Sequence, residues 1–349
     1  MFEWESAVEP ARRRRTGLAL GIALAAFVLM LAGALAGVPV LRDSPSPTFE
    51  RLGDPFGTLT DRPGSHEPAD ASDPVNLLLL GSDSRSTADD PGDWVYGGQR
   101  ADAIMLVQVA GDRRSVTAMS VPRDSWVEIP GHGPGKINAA FSFGGPALMV
   151  ETLEALTGIR IDHVAVADFS SFVGLTDDLG GVELTLSQPL TTGGTTLEAG
   201  SRVLDGAQAL AYTRERYDVP GGDLGRVQRQ QAWLRAVMEA AEERGVLDDP
   251  SQALRIAWTL MRSVAVDEGL GVPRLLGLAI GLRDLDRAGI RFLTAPTVGT
   301  GWSPDGTQSI VLLDELLLEE VSAAFRDDRI AELLDADTGR VTQLGAQAP

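Results

Sequence analysis

Apolar runs and amphipathic stretches alternate along the chain between residues 75 and 244. The run VNLLLL at 75–80 is stopped by a glycine and predicts a buried central strand. Residues 103–110 and 115–121 predict two strands joined by a short turn, and therefore a hairpin. Further along, the pattern predicts helices over 146–156, 169–179, 206–211 and 224–243, strands over 164–167 and 182–186, and a hairpin within 191–206. This order predicts an α/β or mixed sheet with helices on both faces.

Beyond residue 244 the pattern is mostly helical, with one apolar strand candidate at 290–295. Residues 245–349 form either a small second domain or an extension packed on residues 75–244. No Pro/Ser-rich linker separates the two segments, which favours the packed extension.

The N-terminal region is apolar enough to cross a membrane. Residues 16–41 are 26 consecutive uncharged residues, whereas a spanning helix needs about 20. Four arginines at 12–15 precede this segment, so the positive-inside rule predicts a cytoplasmic tail at 1–15 and an extracytoplasmic location for the rest. The alternative is a cleavable signal peptide ending near the small residues at 34–37, but the length of the apolar run favours an uncleaved anchor.

Residues 42–74 contain six prolines among Ser, Gly and Asp, a composition that disfavours both helix and sheet. They predict an extracytoplasmic linker, although part of it, such as 49–59, has the alternative of lying along the folded domain.

Composition excludes several classes of function. The net charge of −19 opposes general nucleic-acid binding. The chain has no cysteine, which excludes thiolate catalysis, cysteine-ligated metals and disulfides. Its three histidines are too scattered for a motif such as HExxH. The chemistry therefore rests on Asp, Glu, Arg, Lys or hydroxyl groups.

Arginines are concentrated in a few polar segments of this acidic chain: Arg85, Arg100, Arg123, Arg214, Arg216, Arg226 and Arg229. The segment 212–216 is predicted to be extended, which would direct Arg214 and Arg216 to one side. Arg226, Arg229 and Gln230 have i, i+3, i+4 spacing at the start of the long helix, where the dipole favours an anion. Arginine binds phosphate bidentately, so we predict a site for a polyanion such as a pyrophosphate. The alternative is a set of ordinary surface salt bridges.

Acidic residues fit the same prediction. Asp83 and Asp102 lie at predicted strand ends, where they could share a hard divalent cation, magnesium or calcium. Asp124 is a candidate for orienting Arg123, and Asp223 is a candidate N-cap of the long helix. Lys136 is the only lysine of the chain, a fact that fits either a specific role or chance in an arginine-rich composition.

Six motifs occur in an order that resembles the LytR-CpsA-Psr proteins. They are NLLLLGSDSR at 76–85, RADAIML at 100–106, SVPRDSWV at 120–127, KINAAF at 136–141, RER at 214–216 and GRVQRQQ at 225–231. The match covers about residues 75–243. It implies an α-β-α sandwich whose mixed central sheet and helices enclose an apolar tunnel for a prenyl chain.

The resemblance also implies a site. Asp83 and Asp102 would bind magnesium or manganese. Catalysis would rest on Asp83, Arg100, Asp102, Arg123 and Asp124. The pyrophosphate-binding set would be Arg85, Arg100, Arg123, Lys136, Arg214, Arg216, Asp223, Arg226, Arg229 and Gln230.

The implied activity is that of a membrane-anchored, extracytoplasmic phosphotransferase. It would move a glycopolymer from a polyprenyl-pyrophosphate carrier to peptidoglycan through a phosphodiester. The alternatives are a non-catalytic binder or regulator of polyprenyl-pyrophosphate lipids and a hydrolase of the same pyrophosphate. Sequence does not distinguish arabinogalactan, teichoic acid and capsule as the glycopolymer, nor Asp83 and Asp124 as the general base.

Overall fold

The computed structural model describes residues 50–64, 73–82, 101–192, 195–214, 222–246 and 264–344, together with 249, 252, 255, 256 and 259. The predicted anchor at 16–41 lies outside this part of the chain. Among the described residues, no helix combines the length and the apolar character needed to cross a membrane.

The strands of the described residues form one seven-stranded sheet and four two-stranded pairs. The strands in chain order are β1 (Glu50–Arg51), β2 (Val75–Ser82), β3 (Ala101–Val109), β4 (Val116–Ser120), β5 (Trp126–Ile129), β6 (Gly133–Lys136), β7 (His163–Asp168), β8 (Val182–Leu186), β9 (Leu190–Thr192), β10 (Thr195–Leu197), β11 (Gly200–Leu204), β12 (Val264–Val266), β13 (Ile290–Thr294), β14 (Thr297–Trp302) and β15 (Ser309–Leu313). Seven of them form one sheet in the order β1-β12-β7-β2-β3-β4-β13, and the others form two-stranded pairs.

The seven-stranded sheet is mixed. Its central strand β2 is antiparallel to β3 and parallel to β7. At the two edges β13 is parallel to β4, and β1 is parallel to β12. The apolar run of β2 is buried on both faces, as expected for a central strand.

Helices cover both faces of this sheet. They are α1 (Asn138–Thr157), α2 (Phe169–Asp178), α3 (Gly206–Arg214), α4 (Gly222–Glu243), α5 (Val272–Gly281), α6 (Glu315–Arg326) and α7 (Ile330–Ala336). Side chains alternate across β2, so Leu77 belongs to one core, with residues of α2 to α5. Leu78 belongs to the other core, with residues of α1, α6 and α7. The mixed α/β fold with helices on both faces is therefore confirmed.

One predicted detail is wrong, and one is incomplete. The segment 212–216 was expected to be extended, but helix α3 continues to Arg214. The hairpin predicted within 191–206 is formed by β9 and β10, whereas β11 pairs with β8. The strand predicted at 290–295 is β13, but the described residues beyond 244 also contain β12, β14 and β15, which the pattern did not predict.

Part of the predicted linker lies along the domain. β1 pairs with β12, and the Leu52 amide donates to the Val266 carbonyl at 3.0 Å. Arg62 forms a salt bridge with the buried Glu154 of α1 at 2.6 Å. Residues 50–64 are thus bound to the sheet edge and to α1.

Candidate functional site

The centre of the predicted site is an ion pair between Asp102 and Arg123. Asp102 is the second residue of β3, and Arg123 lies in the turn after β4, where the Ser125 amide donates to the Pro122 carbonyl at 3.0 Å. Antiparallel pairing of β3 with β4 brings the two segments together. Arg123 Nη1 donates to Asp102 Oδ1, and the two side chains are only 10% and 16% exposed.

The β5–β6 hairpin extends this ion pair. Trp126 is paired with Lys136, and the Ile137 amide donates to the Ser125 carbonyl at 2.8 Å, which returns the chain to the turn. Lys136 Nζ lies 3.1 Å from Asp124 Oδ1, while Asp124 Oδ2 lies 3.9 Å from Arg123 Nε. Asp102, Arg123, Asp124 and Lys136 therefore form a row of alternating charges, called the ion-pair row below.

The first turns of α4 lie against the same end of the sheet. Gln230 Nε2 donates to the Asp102 carbonyl at 3.4 Å. Gln231 Nε2 donates to Ser120 Oγ at 2.9 Å and to the Leu293 carbonyl at 2.8 Å. These bonds fix the start of α4 against β3, β4 and β13. Sequence reasoning missed Gln231, although its position beside Gln230 at the helix start was visible.

Two arginines of α4 are buried. Arg226 is 2% exposed and Arg229 is 0% exposed. Arg226 is one helical turn before Gln230 and shares its face. The described site thus brings together Arg123 and Lys136, each beside a carboxylate, and the buried Arg226 and Arg229 of α4, in a chain whose net charge is −19. Several arginines at one end of the sheet favour an anionic ligand.

Tyr212 lies beside this group, at the end of α3. Its side chain is buried, and its hydroxyl has no hydrogen-bond partner among the described residues. Burial raises the pKa of Tyr212, and the charges of Arg229 and Arg235 act in the opposite direction. The phenol is therefore neutral at physiological pH.

Four residues of the predicted site lie outside the described part of the chain: Asp83, Arg85, Arg100 and Arg216. Ser82, which precedes Asp83, pairs with Ala101, which precedes Asp102.

The remaining predicted residues occupy helix ends. Arg214 is the exposed last residue of α3. Asp223 lies in the first turn of α4, which begins at Gly222, so the N-cap prediction for it is wrong.

The described residues alone do not make a metal site. In that part of the chain, no group of three or more His, Asp or Glu side chains is arranged to hold a metal ion. Asp102 supplies a carboxylate of the type that magnesium prefers, but it is also the partner of Arg123. The two-carboxylate prediction with Asp83 stays a prediction.

A family model matches most of the chain. Residues 57–326 match the LytR_cpsA_psr family model, a range that includes the ion-pair row, α4 and the two central-sheet strands beyond residue 244.

Two curated relatives are named for cell-wall assembly. The chain is 31% identical over 295 residues to the cell wall biosynthesis protein LcpA of Corynebacterium glutamicum, covering 72% of this chain and 55% of LcpA. It is 33% identical over 213 residues to the polyisoprenyl-teichoic acid–peptidoglycan teichoic acid transferase TagU of Bacillus cereus, covering 61% of this chain and 67% of TagU. The chain thus spans little more than half the length of LcpA.

The fold is similar to a solved structure. TagT bound to LI-WTA superposes with a TM-score of 0.58 at 26% identity, covering 77% of this chain and 96% of that chain. The likeness extends over nearly the whole of TagT.

Proposed function

Because the chain belongs to the LytR-CpsA-Psr family, we propose that it transfers a cell-wall glycopolymer to peptidoglycan. The donor would be the glycopolymer on a polyprenyl-pyrophosphate carrier, and the product would be a phosphodiester. The observation that carries this proposal is the ion-pair row with the buried arginines of α4 beside it, since the planar forks of arginine are suited to a pyrophosphate.

The chemistry follows from that arrangement. A sugar hydroxyl of the acceptor attacks the phosphorus nearest the glycan, a new P–O bond forms, and the prenyl phosphate leaves with the electron pair of the broken P–O bond. Arg123, Arg226 and Lys136 stabilise the charge that develops on the phosphoryl oxygens. The hydroxyl proton passes to a carboxylate, for which Asp124 and Asp83 are the candidates.

A divalent cation fits the donor set. Asp83 and Asp102 would hold magnesium or manganese, and the bound ion would neutralise phosphate oxygens. The adjacent positions of Ser82 and Ala101 in the sheet support this pairing.

The location and the lipid path are further parts of the proposal. Residues 16–41 would anchor the protein with its N-terminus in the cytoplasm and the domain outside. The apolar side chains of α1, among them the buried Leu148 and Leu153, are candidates to line a prenyl tunnel.

Replacing Arg123 tests the site. We expect Arg123→Lys to lower transfer by about 100-fold or more, because a lysine keeps the charge but loses the bidentate fork. The matched control is Arg329→Lys, since Arg329 pairs with Asp327 on the surface and is 62% exposed. The assay uses the full chain in detergent with a synthetic prenyl-pyrophosphate-linked saccharide and a glycan acceptor, with magnesium or with chelator.

Each outcome of this assay supports a different function. Magnesium-dependent phosphodiester product that requires Arg123 supports the transferase. Free phosphorylated saccharide would indicate a hydrolase, and tight lipid binding without any product would indicate a binder or regulator. A folded Arg123→Lys variant with full activity would refute the site.

A further inference from the structure

An exposed hairpin stands beside the ion-pair row. Strands β14 and β15 pair with each other in register Trp302↔Ser309 and Thr300↔Val311, and neither belongs to the central sheet. Val298 and Trp302 are 67% and 69% exposed. Thr300 is also exposed and lies on the same face as Trp302, whereas Val298 lies in the bulge between Thr297 and Gly299. We call Val298, Thr300, Trp302 and the paired Ser309 the outer face of the hairpin.

The hairpin is attached directly to the site. The Val311 amide donates to the Asp124 carbonyl at 2.9 Å, and Ser125 forms a parallel bridge with Val311. Ser309 is two residues from Val311, about 7 Å along the strand. Trp302 is a further ~5 Å across the pair. The backbone of Trp302 therefore lies within roughly 12 Å of Val311, which is hydrogen-bonded to Asp124 of the ion-pair row.

The hairpin carries a single charge in an acidic chain. Between residues 297 and 313 the only charged side chain is Asp305, whereas 23% of the whole chain is charged, so about four charges would be average. The Asp305 carboxylate accepts hydrogen bonds from Ser303 Oγ at 2.5 Å and from the Thr307 amide and hydroxyl at 3.1 and 2.8 Å. The single charged group is therefore hydrogen-bonded within the turn. The outer face presents an indole, a valine and hydroxyl groups.

The turn holds Trp302 at a fixed backbone position. The Ser303 amide donates to the Gln308 carbonyl at 2.9 Å, and the Gln308 amide donates to Ser303 Oγ at 3.0 Å. The Gly306 amide closes the tip by donating to the Ser303 carbonyl at 2.7 Å. Such a fixed surface lowers the entropy cost of binding a ligand.

We propose that the outer face of this hairpin binds the saccharide acceptor, with Trp302 stacked under a sugar ring. The C–H face of a pyranose is apolar and packs on an indole, while its hydroxyls pair with neutral groups such as those of Thr300 and Ser309. This inference rests on the proposed function, because it assigns the acceptor side of the same site.

A lipid surface is the competing occupant for exposed apolar side chains. The position of the hairpin argues against a lipid surface. Leu316, near the hairpin, is flanked by the exposed side chains of Glu315, Glu319 and Glu320. These carboxylates would be repelled by anionic headgroups.

The test measures binding of a β-1,4-linked N-acetylglucosamine hexamer to the full chain in detergent. Trp302→Ala is expected to raise the dissociation constant at least tenfold. Trp302→Phe, which keeps an aromatic face, is expected to raise it less than threefold. The matched control is Ile280→Ala, because Ile280 of α5 is equally exposed at 61% and should leave binding unchanged. In the transfer assay, Trp302→Ala should raise the acceptor KM and leave the donor KM unchanged.

Three results would overturn the inference: no binding of the hexamer by the wild-type chain, equal binding by Trp302→Ala, or Trp302-dependent quenching by brominated lipids in proteoliposomes. Failure of the proposed function is separate. It would appear as absent donor binding and absent product while hexamer binding still depends on Trp302.

Discussion

At the residue scale, Asp328 is a half-buried acid whose environment opposes its charge. It has a left-handed backbone, with φ of 55°. Its Oδ2 accepts from the Gly111 amide at 2.9 Å, and its Oδ1 has no hydrogen-bond partner among the described residues. Burial, and then repulsion by Asp112, raise the pKa of Asp328, and the Gly111 hydrogen bond and Arg113 only partly oppose this.

The raised pKa predicts that Asp328→Asn stabilises the protein at neutral pH. Because the folded pKa lies above the unfolded one, stability falls as pH rises from below the unfolded pKa through the folded pKa, and it stays lower above that range. Asparagine keeps an acceptor oxygen and tolerates a left-handed backbone. The variant should melt at a higher temperature than wild type at pH 7, and the gap should shrink as pH falls towards 4. Exposed Asp327→Asn is the control, and a variant less stable than wild type at pH 7 would contradict the argument.

A second residue-scale prediction concerns the ion pair that holds residues 50–64 against α1. Glu154 accepts two hydrogen bonds from Arg62 at its Oε1 and one from the Ile161 amide at 2.8 Å, and its side chain is 3% exposed. Arg62→Ala leaves that carboxylate buried without its cation, so unfolding in urea should become easier by about 3 kcal/mol.

The control for Arg62→Ala is Arg283→Ala. Arg283 and Asp284 form a pair that is 67% and 83% exposed, so its loss should change stability by less than about 1 kcal/mol. Equal effects of the two substitutions would mean that residues 50–64 contribute little to the fold.

At the element scale, helix α1 is interrupted by two glycines. Gly145 has φ of 60° and ψ of −152°, a region that is open essentially only to glycine, and Pro146 starts the second part of the helix. The sequence predicted a helix over residues 146–156. The sequence did not predict the helical turns that begin at Asn138, because the Pro, Gly and Phe residues there obscure the helical period of apolar positions.

Two glycine-to-alanine substitutions should change the stability of the protein in opposite directions. Gly145→Ala should destabilise the protein by about 1–3 kcal/mol, because alanine strains this backbone. Gly277→Ala lies within α5, where an added Cβ meets no atom within 4 Å, so it should stabilise by about 0.5–1 kcal/mol. Denaturant midpoints of both variants in parallel provide the measurement. A Gly145→Ala protein as stable as wild type would show that the interruption is not needed.

The elements that sequence analysis missed are short. β12 has three residues, too few for a period-two pattern, and it is recognised only by its pairing with β7 and β1. The hairpins β5–β6 and β14–β15 contain glycine at alternating positions, as in GPGK and TVGTGW, a composition typical of turns. By contrast, β2, β3, β4 and α4 are long and apolar enough for the sequence to place them within a few residues.

At the scale of the whole molecule, the site was predictable as a set of residues but not as a network. The hairpin of β3 and β4 already implied that Asp102 and Arg123 approach each other. The contact of Lys136 with Asp124 depends on the β5–β6 hairpin, and the fixing of α4 depends on Gln231 reaching β13. Such long-range contacts have no local sequence signal, because they are made only once the sheet is assembled.

The last prediction concerns the boundary near residue 244. A chain ending at residue 244 would lack β12 and β13, and so would lose a strand from each side of the central sheet. It would also lack Leu275 and Phe292 of one core and Leu318 and Phe325 of the other. We expect it to lose cooperative melting and near-ultraviolet circular dichroism, because large apolar surfaces on both faces of the sheet would meet water.

A chain ending at residue 344 provides the control. It keeps the hydrogen bonds from the Thr294 amide to the Thr342 carbonyl and from the Leu344 amide to the Phe292 carbonyl, at 2.9 and 3.0 Å. It should therefore melt at the wild-type temperature. If the chain ending at residue 244 melted cooperatively as well, residues 75–244 would be an independent domain and the strands beyond them an addition to it. If it does not, the folded domain extends to the C-terminal helices, because neither core is closed without them.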